Sequence, residues 1–137
     1  MRFWLLKTEA EEFGWHDQIA AGEVGAEWHG IRNYQARNNL RAMELGELAF
    51  FYHTGREKAV VGIVEVSRLA ASDSTTDDPR WDSVWVRAQR PLQPVTLERC
   101  RQEPALKDMV LLHNSRLSVQ PVTAAEWELI CQLGGKH

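Results

Sequence analysis

Residues 60–69 (VVGIVEVSRL) constrain the fold of this chain more than any other segment of the sequence. The segment is rich in β-branched residues and apolar on both faces, a pattern typical of a central strand of a sheet. Residues 48–53 (LAFFYH) are rich in aromatic side chains, and residues 83–89 alternate between apolar and polar side chains. We therefore predict three strands in the middle of the chain.

Helical and strand patterns flank these three strands. They predict a strand at 3–7, a short helix near 15–21 closed by Gly22, a helix from the N-cap Asn33 to Met43, helical pieces at 96–100 and 105–112, a strand at 117–122, and a helix at 123–133 with Thr123 and Glu126 at capping-box positions. The main predicted loop covers 71–79 (ASDSTTDDP). Because the helices bracket the strands without a regular βαβ alternation, we predict an α+β fold with a mainly antiparallel, curled sheet, in one domain spanning residues 1–137.

Apolar runs, cysteines and histidines exclude several classes of protein. No apolar run approaches the roughly 18 residues of a membrane span, and the N-terminus lacks the apolar core of a signal peptide. Cys100 and Cys131 are far apart without a C-x-x-C motif, and the histidines lack metal-binding spacing. We therefore expect no membrane partner, no disulfide framework, no metal and no cofactor, in an intracellular protein that is cytoplasmic if bacterial.

Charge is distributed unevenly, although the net charge is only −3. Residues 8–27 contain six acidic side chains and no Lys or Arg, whereas residues 28–43 contain Arg32, Arg37 and Arg41 and no acidic side chain. Both segments are compatible with the solvated faces of surface helices. The alternative is a site for an anionic ligand beside an acidic margin that repels wrong placements.

Residues 28–39 (WHGIRNYQARNN) carry the strongest signal of ligand chemistry. Aromatic faces stack on nucleobases, Asn and Gln amides pair with base edges, and Arg binds phosphate. The structural alternative is a well-capped helix with Trp28 and Tyr34 anchored in the core. The common serine-hydrolase and nucleotide-binding motifs are absent. Lys7 and Thr8 would form a Lys-activated hydroxyl nucleophile only at an irregular strand end, since neighbouring strand residues point to opposite faces.

The six tryptophans divide into two groups by their surroundings in the sequence. We predict that Trp15, Trp85 and Trp127 are core or half-buried residues, because they lie within predicted helices or strands. Trp28 and Trp81 lie in or beside predicted loops and are the candidates for stacking walls of a pocket. Trp4, within an apolar strand, fits either group.

Motifs along the whole chain resemble those of the EVE-domain family: FWLLKTEA, WHGIRNYQARNNLRAM, LAFFYHTG, VVGIVEV, DPRW and SRLSVQPVT, in this order. Where this chain has KTEA and WHG, family members usually have KSEP and WDG. The resemblance implies a PUA-like fold, a β pseudo-barrel flanked by helices and related to the ASCH and YTH domains. It also implies binding of RNA or DNA that carries a modified base, with that base flipped into an aromatic pocket.

The resemblance and the residue chemistry together give a predicted site. Trp28, Tyr34 and Trp81 form the pocket walls, and Glu9 accepts a hydrogen bond from an exocyclic amine. The remaining predicted residues are those that read the base edge or complete the lining (Lys7, Thr8, Asn33, Gln35, His53, Leu117 and Ser118) and those that hold flanking phosphates (Arg32, Arg37, Arg41 and Arg116).

We predict a non-catalytic binding module that is a monomer or a weak dimer. Two alternatives stay open: a small ASCH-like hydrolase that acts on a modified nucleoside through Lys7 and Thr8, and a small-molecule or partner-binding module that uses the same cleft.

Overall fold

The computed structural model describes residues 1–135, so Lys136 and His137 of the predicted domain lie outside the described residues. The six strands are β1 (Phe3–Glu9), β2 (Ala26–Trp28), β3 (Leu48–Thr54), β4 (Ala59–Ser72), β5 (Asp82–Thr96) and β6 (Val119–Val122). The five α-helices are α1 (Trp15–Ala20), α2 (Tyr34–Ala42), α3 (Leu97–Arg101), α4 (Val110–His113) and α5 (Ala124–Gly135), with a 3-10 turn at Pro104–Leu106.

The six strands form one sheet in the order β2-β5-β4-β3-β1-β6. Neighbouring strands pair antiparallel except β1 and β3, which pair parallel. Within the described residues, β2 and β6 are the two edges of the sheet, so the barrel is not closed. The predicted α+β class with a mainly antiparallel sheet flanked by helices is confirmed.

The prediction of a central strand at 60–69 is confirmed, because β4 lies between β3 and β5 and contributes to two cores. Val64 and Val66 pack in the first core with Phe51 of β3 and Leu40 of α2. The second core, on the opposite face of the sheet, contains Ile63 of β4. It also contains Phe50 of β3 and, from α5, Trp127 and Ile130. A strand that is buried on both faces must be apolar on both faces, which explains the sequence pattern.

The helix-capping predictions are confirmed. The side-chain oxygen of Asn33 accepts a hydrogen bond from the backbone N–H of Ala36 at 2.9 Å, which caps α2. At the start of α5, the backbone N–H of Thr123 donates to the Glu126 carboxylate at 3.0 Å, and the N–H of Glu126 donates to the Thr123 hydroxyl at 3.2 Å.

The strand predictions differ most from the structure at β2, which is missing from them, and at β5, which is longer than predicted. No strand was predicted at Ala26–Trp28, because a segment of three residues is too short to show an alternation. The predicted strand at 83–89 ends too early, since β5 continues through Pro91 and Pro94 to Thr96. These prolines have no β2 neighbour, because β5 pairs with β2 only as far as Val86, and the register between β4 and β5 is irregular between Pro91 and Val95. Prolines are found at such edges and bulges of sheets.

The tryptophan predictions for structural residues are confirmed. Trp127 is buried and stacks on Phe50, with ring centroids 3.9 Å apart. Trp15 and Trp85 are half-buried. Trp4, which the sequence did not assign, is a core residue whose indole N–H donates to the buried Glu47 carboxylate at 2.9 Å.

No helix within residues 1–135 combines the length and apolar character needed to cross a membrane.

Candidate functional site

A cavity of about 630 Å³ lies between the end of β1 and the segment formed by β2 and the loop after it. β1 and β2 are separated by three other strands in the sheet, so only the curl of the sheet brings them to one site. The volume of the cavity is within the range of about 300–1,000 Å³ that is usual for ligand pockets. The cavity is lined by Lys7, Thr8, Glu9, Glu12, Phe13, Ala26, Glu27, Trp28, His29, Gly30 and Ile31.

Two aromatic rings, those of Phe13 and Trp28, belong to the apolar part of the lining. Trp28 is only 6% exposed and Phe13 is half-buried, and their ring centroids lie 6.2 Å apart in an edge-to-face arrangement. Behind them, Phe51 packs edge-on against Trp28 at 5.6 Å. The core thus fixes the orientation of Trp28, so that the cavity has a rigid aromatic wall.

Three carboxylates line the cavity, and they differ in their surroundings. Glu27 accepts hydrogen bonds from the backbone N–H of Ser74 at 3.0 Å and from the Ser83 hydroxyl at 2.7 Å. Burial raises the pKa of Glu27, but hydrogen bonds from Ser74 and Ser83 outweigh this effect and lower it overall. Glu9 and Glu12 are exposed, and within residues 1–135 their carboxylates have no hydrogen bond or ion pair. These two carboxylates therefore keep their accepting capacity for a ligand.

Lys7 and Thr8 donate hydrogen bonds to different backbone carbonyls. The Lys7 ammonium donates to the carbonyl of Ser115 at 3.0 Å, and the Thr8 hydroxyl donates to the carbonyl of Phe13 at 3.0 Å. Burial lowers the pKa of Lys7. Each group is engaged with a different carbonyl, and within residues 1–135 no hydrogen bond joins the two side chains, so the geometry gives no support to a Lys-activated hydroxyl nucleophile.

Asp73 holds the segment of Gly30 and Ile31 in place, and we call this segment the lip of the cavity. Asp73 itself belongs to the loop predicted at 71–79. Its side chain is buried and accepts hydrogen bonds from the backbone N–H groups of Gly30 at 2.8 Å and Thr75 at 2.7 Å, and from the Arg32 guanidinium at 3.2 Å. Burial alone would raise the pKa of Asp73, but these hydrogen bonds and that from the Thr75 hydroxyl hold it well below its usual range. Gly30 has a φ of +80°, a left-handed conformation that favours glycine.

Tyr34 and Trp81 stack on each other outside the cavity, with ring centroids 5.0 Å apart. Three guanidinium groups surround this pair. Arg37 lies 4.8 Å from the Tyr34 ring centroid, while Arg32 and Arg80 lie 5.6 and 5.7 Å from the Trp81 ring centroid. We call these five residues the Tyr34–Trp81 cluster. It adjoins the cavity at the lip, because Arg32 directly follows Ile31.

Other predicted residues on α2 and β3 lie outside the cavity lining. Asn33 caps α2 with its amide oxygen, and Gln35 is exposed on α2. Arg41, also on α2, forms an ion pair with Asp82 at 2.5 Å. His53 lines a neighbouring recess of about 250 Å³ that also includes Glu9, and burial lowers its pKa.

The predicted residues near β6 lie outside the cavity lining, and one of them, Ser118, contacts the backbone of Lys7. Leu117 is buried in the first core, and the backbone carbonyl of Ser118 accepts a hydrogen bond from the Lys7 N–H at 2.9 Å. Arg116 is exposed and follows Ser115, the residue whose carbonyl accepts from the Lys7 ammonium.

The structure therefore brings four predicted residues together in the cavity: Lys7, Thr8, Glu9 and Trp28. Sequence reasoning missed Phe13, Glu12 and Glu27 in the lining, and Asp73 behind the lip. A signal for the acidic lining was present, because Glu9, Glu12 and Glu27 all belong to the acidic segment at 8–27. The sequence leaves this segment as either a solvated helix face or a repelling margin, whereas the structure shows that it supplies part of the cavity wall. Within residues 1–135 no group of three His, Cys, Asp or Glu side chains is placed to hold a metal ion.

Comparison with known proteins assigns a family. The sequence-family model of the EVE domain matches residues 2–133 of this chain. Human thymocyte nuclear protein 1 is 33% identical over 98% of this chain and 74% of its own length. The crystal structure of that protein in complex with 5-methylcytosine-containing DNA has a TM-score of 0.88 and 33% identity, with 97% of each chain covered.

Two further solved structures are similar. A crystal structure of a protein from Agrobacterium tumefaciens has a TM-score of 0.97 and 48% identity, covering 98% of this chain and 94% of that one. The YTH domain of the Zygosaccharomyces rouxii MRB1 protein, in complex with N6-methyladenosine RNA, has a TM-score of 0.62 and 20% identity, covering 99% of this chain and 85% of that one. At this identity the likeness concerns the fold alone, and it agrees with the predicted PUA-like architecture.

Proposed function

The chain belongs to the EVE domain family, and on this premise we propose that it binds nucleic acid by taking one modified, flipped-out base into the cavity at the end of β1. Support comes from human thymocyte nuclear protein 1, a relative that covers nearly the whole chain and has been crystallised with 5-methylcytosine-containing DNA. The proposal covers RNA and DNA alike, since their discrimination depends on a few contacts to the sugar.

The observation that carries this proposal is one cavity that combines a fixed aromatic wall with carboxylates that have no hydrogen bond or ion pair within residues 1–135. Trp28 and Phe13 offer apolar surface for a base, and each base–aromatic contact contributes roughly 1–3 kcal/mol. Glu9 and Glu12 are free to accept a hydrogen bond from an exocyclic amine. A carboxylate-lined cavity repels phosphate, so the base enters it and the phosphates stay outside.

Some of the other predicted residues keep their proposed roles, and others do not, because they lie outside the cavity lining. Lys7 and Thr8 face the polar edge of the base from the end of β1. Arg37, Arg41 and Arg116 lie outside the lining and hold flanking phosphates. Arg41 must exchange its ion pair with Asp82 for a phosphate, which is a small cost for a pair at the surface. Seven predicted residues lie outside the lining and have no contact to the base in this proposal: Tyr34, Trp81, Asn33, Gln35, His53, Leu117 and Ser118.

Titration of oligonucleotides with and without one modified base tests the proposal. At low salt we expect tighter binding of a modified oligonucleotide, and we expect Phe13→Ala to reduce the affinity ratio of modified to unmodified oligonucleotide about tenfold. Phe13 is half-buried, so its truncation disturbs the fold less than that of Trp28. The proposal fails if no oligonucleotide binds at low salt, or if neither Phe13→Ala nor Trp28→Ala changes the ratio in folded protein.

Two neighbouring glutamates provide a matched control for the acidic lining. Glu12 lines the cavity, whereas the adjacent Glu11 lines the recess beside His53. Glu9→Gln and Glu12→Gln each remove one negative charge, as does Glu11→Gln. We expect at least one of the first two to lower the affinity ratio, and Glu11→Gln to leave it unchanged. An equal effect of all three substitutions would show a general charge effect and would contradict a role in base recognition.

A further inference from the structure

The Tyr34–Trp81 cluster combines exposed cationic groups with a rigid support. Tyr34 is 50% exposed, and its hydroxyl accepts a hydrogen bond from the Arg80 guanidinium at 3.2 Å. The Arg37 guanidinium donates to the backbone carbonyl of Arg80 at 3.1 Å. These contacts, together with the stack of Tyr34 on Trp81, hold Arg37 and Arg80 beside each other before any ligand binds.

The two carboxylates that face this cluster differ in accessibility. Asp73 is buried beneath Arg32 and also holds Gly30, so a ligand cannot displace it without opening the lip. Asp78 forms a surface ion pair with Arg80, whose side chain is 60% exposed. The pair is bidentate, with Arg80 Nε 3.0 Å from Asp78 Oδ1 and Nη2 2.6 Å from Oδ2, and Asp78 also accepts from the backbone N–H of Arg80 at 3.0 Å. Because the guanidinium is exposed, a ligand can reach it from solvent, and exchange requires an acceptor strong enough to replace these contacts. A phosphate group, with its higher charge and several acceptor oxygens, is such an acceptor.

We propose that the Tyr34–Trp81 cluster binds a backbone phosphate next to the base in the cavity, and that Arg80 exchanges its partner Asp78 for this phosphate. This inference rests on the proposed function, and it adds a residue, Arg80, that the sequence did not indicate. The phosphate would lie next to the cavity, because Ile31 lines the cavity and the following residue, Arg32, belongs to the cluster. Guanidinium groups match the geometry of phosphate oxygens, which makes this set of side chains suited to a nucleic-acid backbone.

Two substitutions test the proposal, because one removes a positive charge at Arg80 and the other removes a negative charge at Asp78. The proposal predicts opposite effects of the two on binding. Arg80→Ala should weaken binding of modified and unmodified oligonucleotides alike, and should reduce the slope of log affinity against log salt by about one. Asp78→Asn keeps the shape of the side chain and frees Arg80, so it should strengthen the binding of both oligonucleotides by about twofold to fivefold. If the ion pair only stabilises the loop, both substitutions weaken binding.

The ion pair between Arg99 and Glu103 on the surface provides the matched control. Neither of these residues lines the cavity or belongs to the cluster. Arg99→Ala and Glu103→Gln change the net charge as Arg80→Ala and Asp78→Asn do, and we expect them to change the salt slope much less. Equal effects at the two pairs would overturn the inference, because they would assign the changes to net charge alone.

Two further measurements separate the inference from its alternatives. Inorganic phosphate, added at constant ionic strength, should compete only weakly with the oligonucleotide, as seen from the indole N–H resonance of Trp81. Saturation by phosphate without an effect of the oligonucleotide on this resonance would assign the cluster to free phosphate and overturn the inference. The affinity ratio of modified to unmodified oligonucleotide should stay constant in Arg80→Ala. Loss of that ratio in Phe13→Ala with an unchanged salt slope shows that the cavity and the cluster act separately.

Discussion

The carboxylate of Asp73 accepts a hydrogen bond from the backbone N–H of Gly30 at 2.8 Å, and this contact joins the loop between β4 and β5 to the lip of the cavity. Next to it, Ser74 donates both its backbone N–H and its hydroxyl to Glu27 in the cavity lining. Two consecutive loop residues thus fix two parts of the cavity wall. The loop, although rich in residues that disfavour regular structure, is a supporting element of the candidate site.

Removing the Asp73 side chain should destabilise the fold and the site together. Asp73→Ala leaves the N–H groups of Gly30 and Thr75 without their partner, and we expect the free energy of unfolding to fall by about 1–3 kcal/mol. Urea denaturation measures this loss. Asp77→Ala, at an exposed position of the same loop, should change stability by less than about 0.5 kcal/mol. Equal losses in the two variants would show that the hydrogen bonds of Asp73 do not stabilise the lip.

Acid should destabilise this protein through Asp73 and Glu27. The pKa of each carboxylate is lower in the folded state than in the unfolded chain, so between the two values the unfolded chain binds more protons. The contribution of these two carboxylates to the free energy of unfolding is therefore complete above about pH 5, and it decreases as the pH falls below about 4. Urea denaturation between pH 2 and 7 measures this dependence. Asp73→Asn and Glu27→Gln should each flatten it, and an unchanged slope in both variants would contradict the assignment.

His53 should make the start of α1 sensitive to mild acid. Its Nε2 accepts a hydrogen bond from the backbone N–H of Trp15 at 3.1 Å, which a protonated imidazole does not accept. Burial lowers the pKa of His53, while Glu57 raises it and His16 lowers it to smaller extents. Folding therefore favours the neutral form of His53, and the stabilisation from this contact is complete above about pH 6.5 and is lost as the pH falls through the lowered pKa.

Hydrogen exchange of the α1 amides, measured as protection factors from pH 7.5 down to 4, tests this prediction. The Trp15 amide should lose protection at the acidic end in the unsubstituted protein. In His53→Ala the protection should be low at every pH, while His16→Asn should keep the pH dependence, because His16 is exposed on α1. Protection of Trp15 that does not change with pH in the unsubstituted protein would refute the role of His53.

A methyl group at Gly62 should displace Trp15 from β4. A Cβ at this position would lie 2.5 Å from ring atoms of Trp15, well inside van der Waals contact. We expect Gly62→Ala to lower the free energy of unfolding by about 1–3 kcal/mol through this overpacking. The double variant Gly62→Ala/Trp15→Leu removes the clashing ring, so the cost of Gly62→Ala should be smaller in the Trp15→Leu background. Urea denaturation of the four proteins measures this coupling, and equal costs in both backgrounds would rule out the clash.

Local sequence patterns were sufficient for most of the secondary structure. The helix from Asn33 and the capping box of Thr123 and Glu126 were predicted because a cap and the helix it begins are neighbours in the chain. The pattern of β4 is also local, because a strand that is buried on both faces has apolar residues at successive positions. This pattern identified β4 as a central strand. Long-range features were harder, as the three-residue strand β2 and the proline-containing end of β5 demonstrate.

The candidate site divides along the same line. Sequence and family resemblance indicated the residue types of the site, and four of the predicted residues lie in one cavity. The partners of these side chains were not predictable. Tyr34 and Trp81 stack on each other rather than in the cavity, and Arg41 is paired with Asp82, because residues distant in sequence meet there.

The sequence by itself determined the family, the class of fold, most helices and strands, and the presence of aromatic and acidic side chains suited to a base. The tertiary structure decided which of these side chains share a cavity and which are already engaged. The curl of the sheet brings the end of β1 next to β2, and Asp73 then fixes the lip from a third segment of the chain. Periodicity describes the relation of a residue to its neighbours in the chain, whereas a cavity is made by residues from separate segments, so only the folded chain defines it.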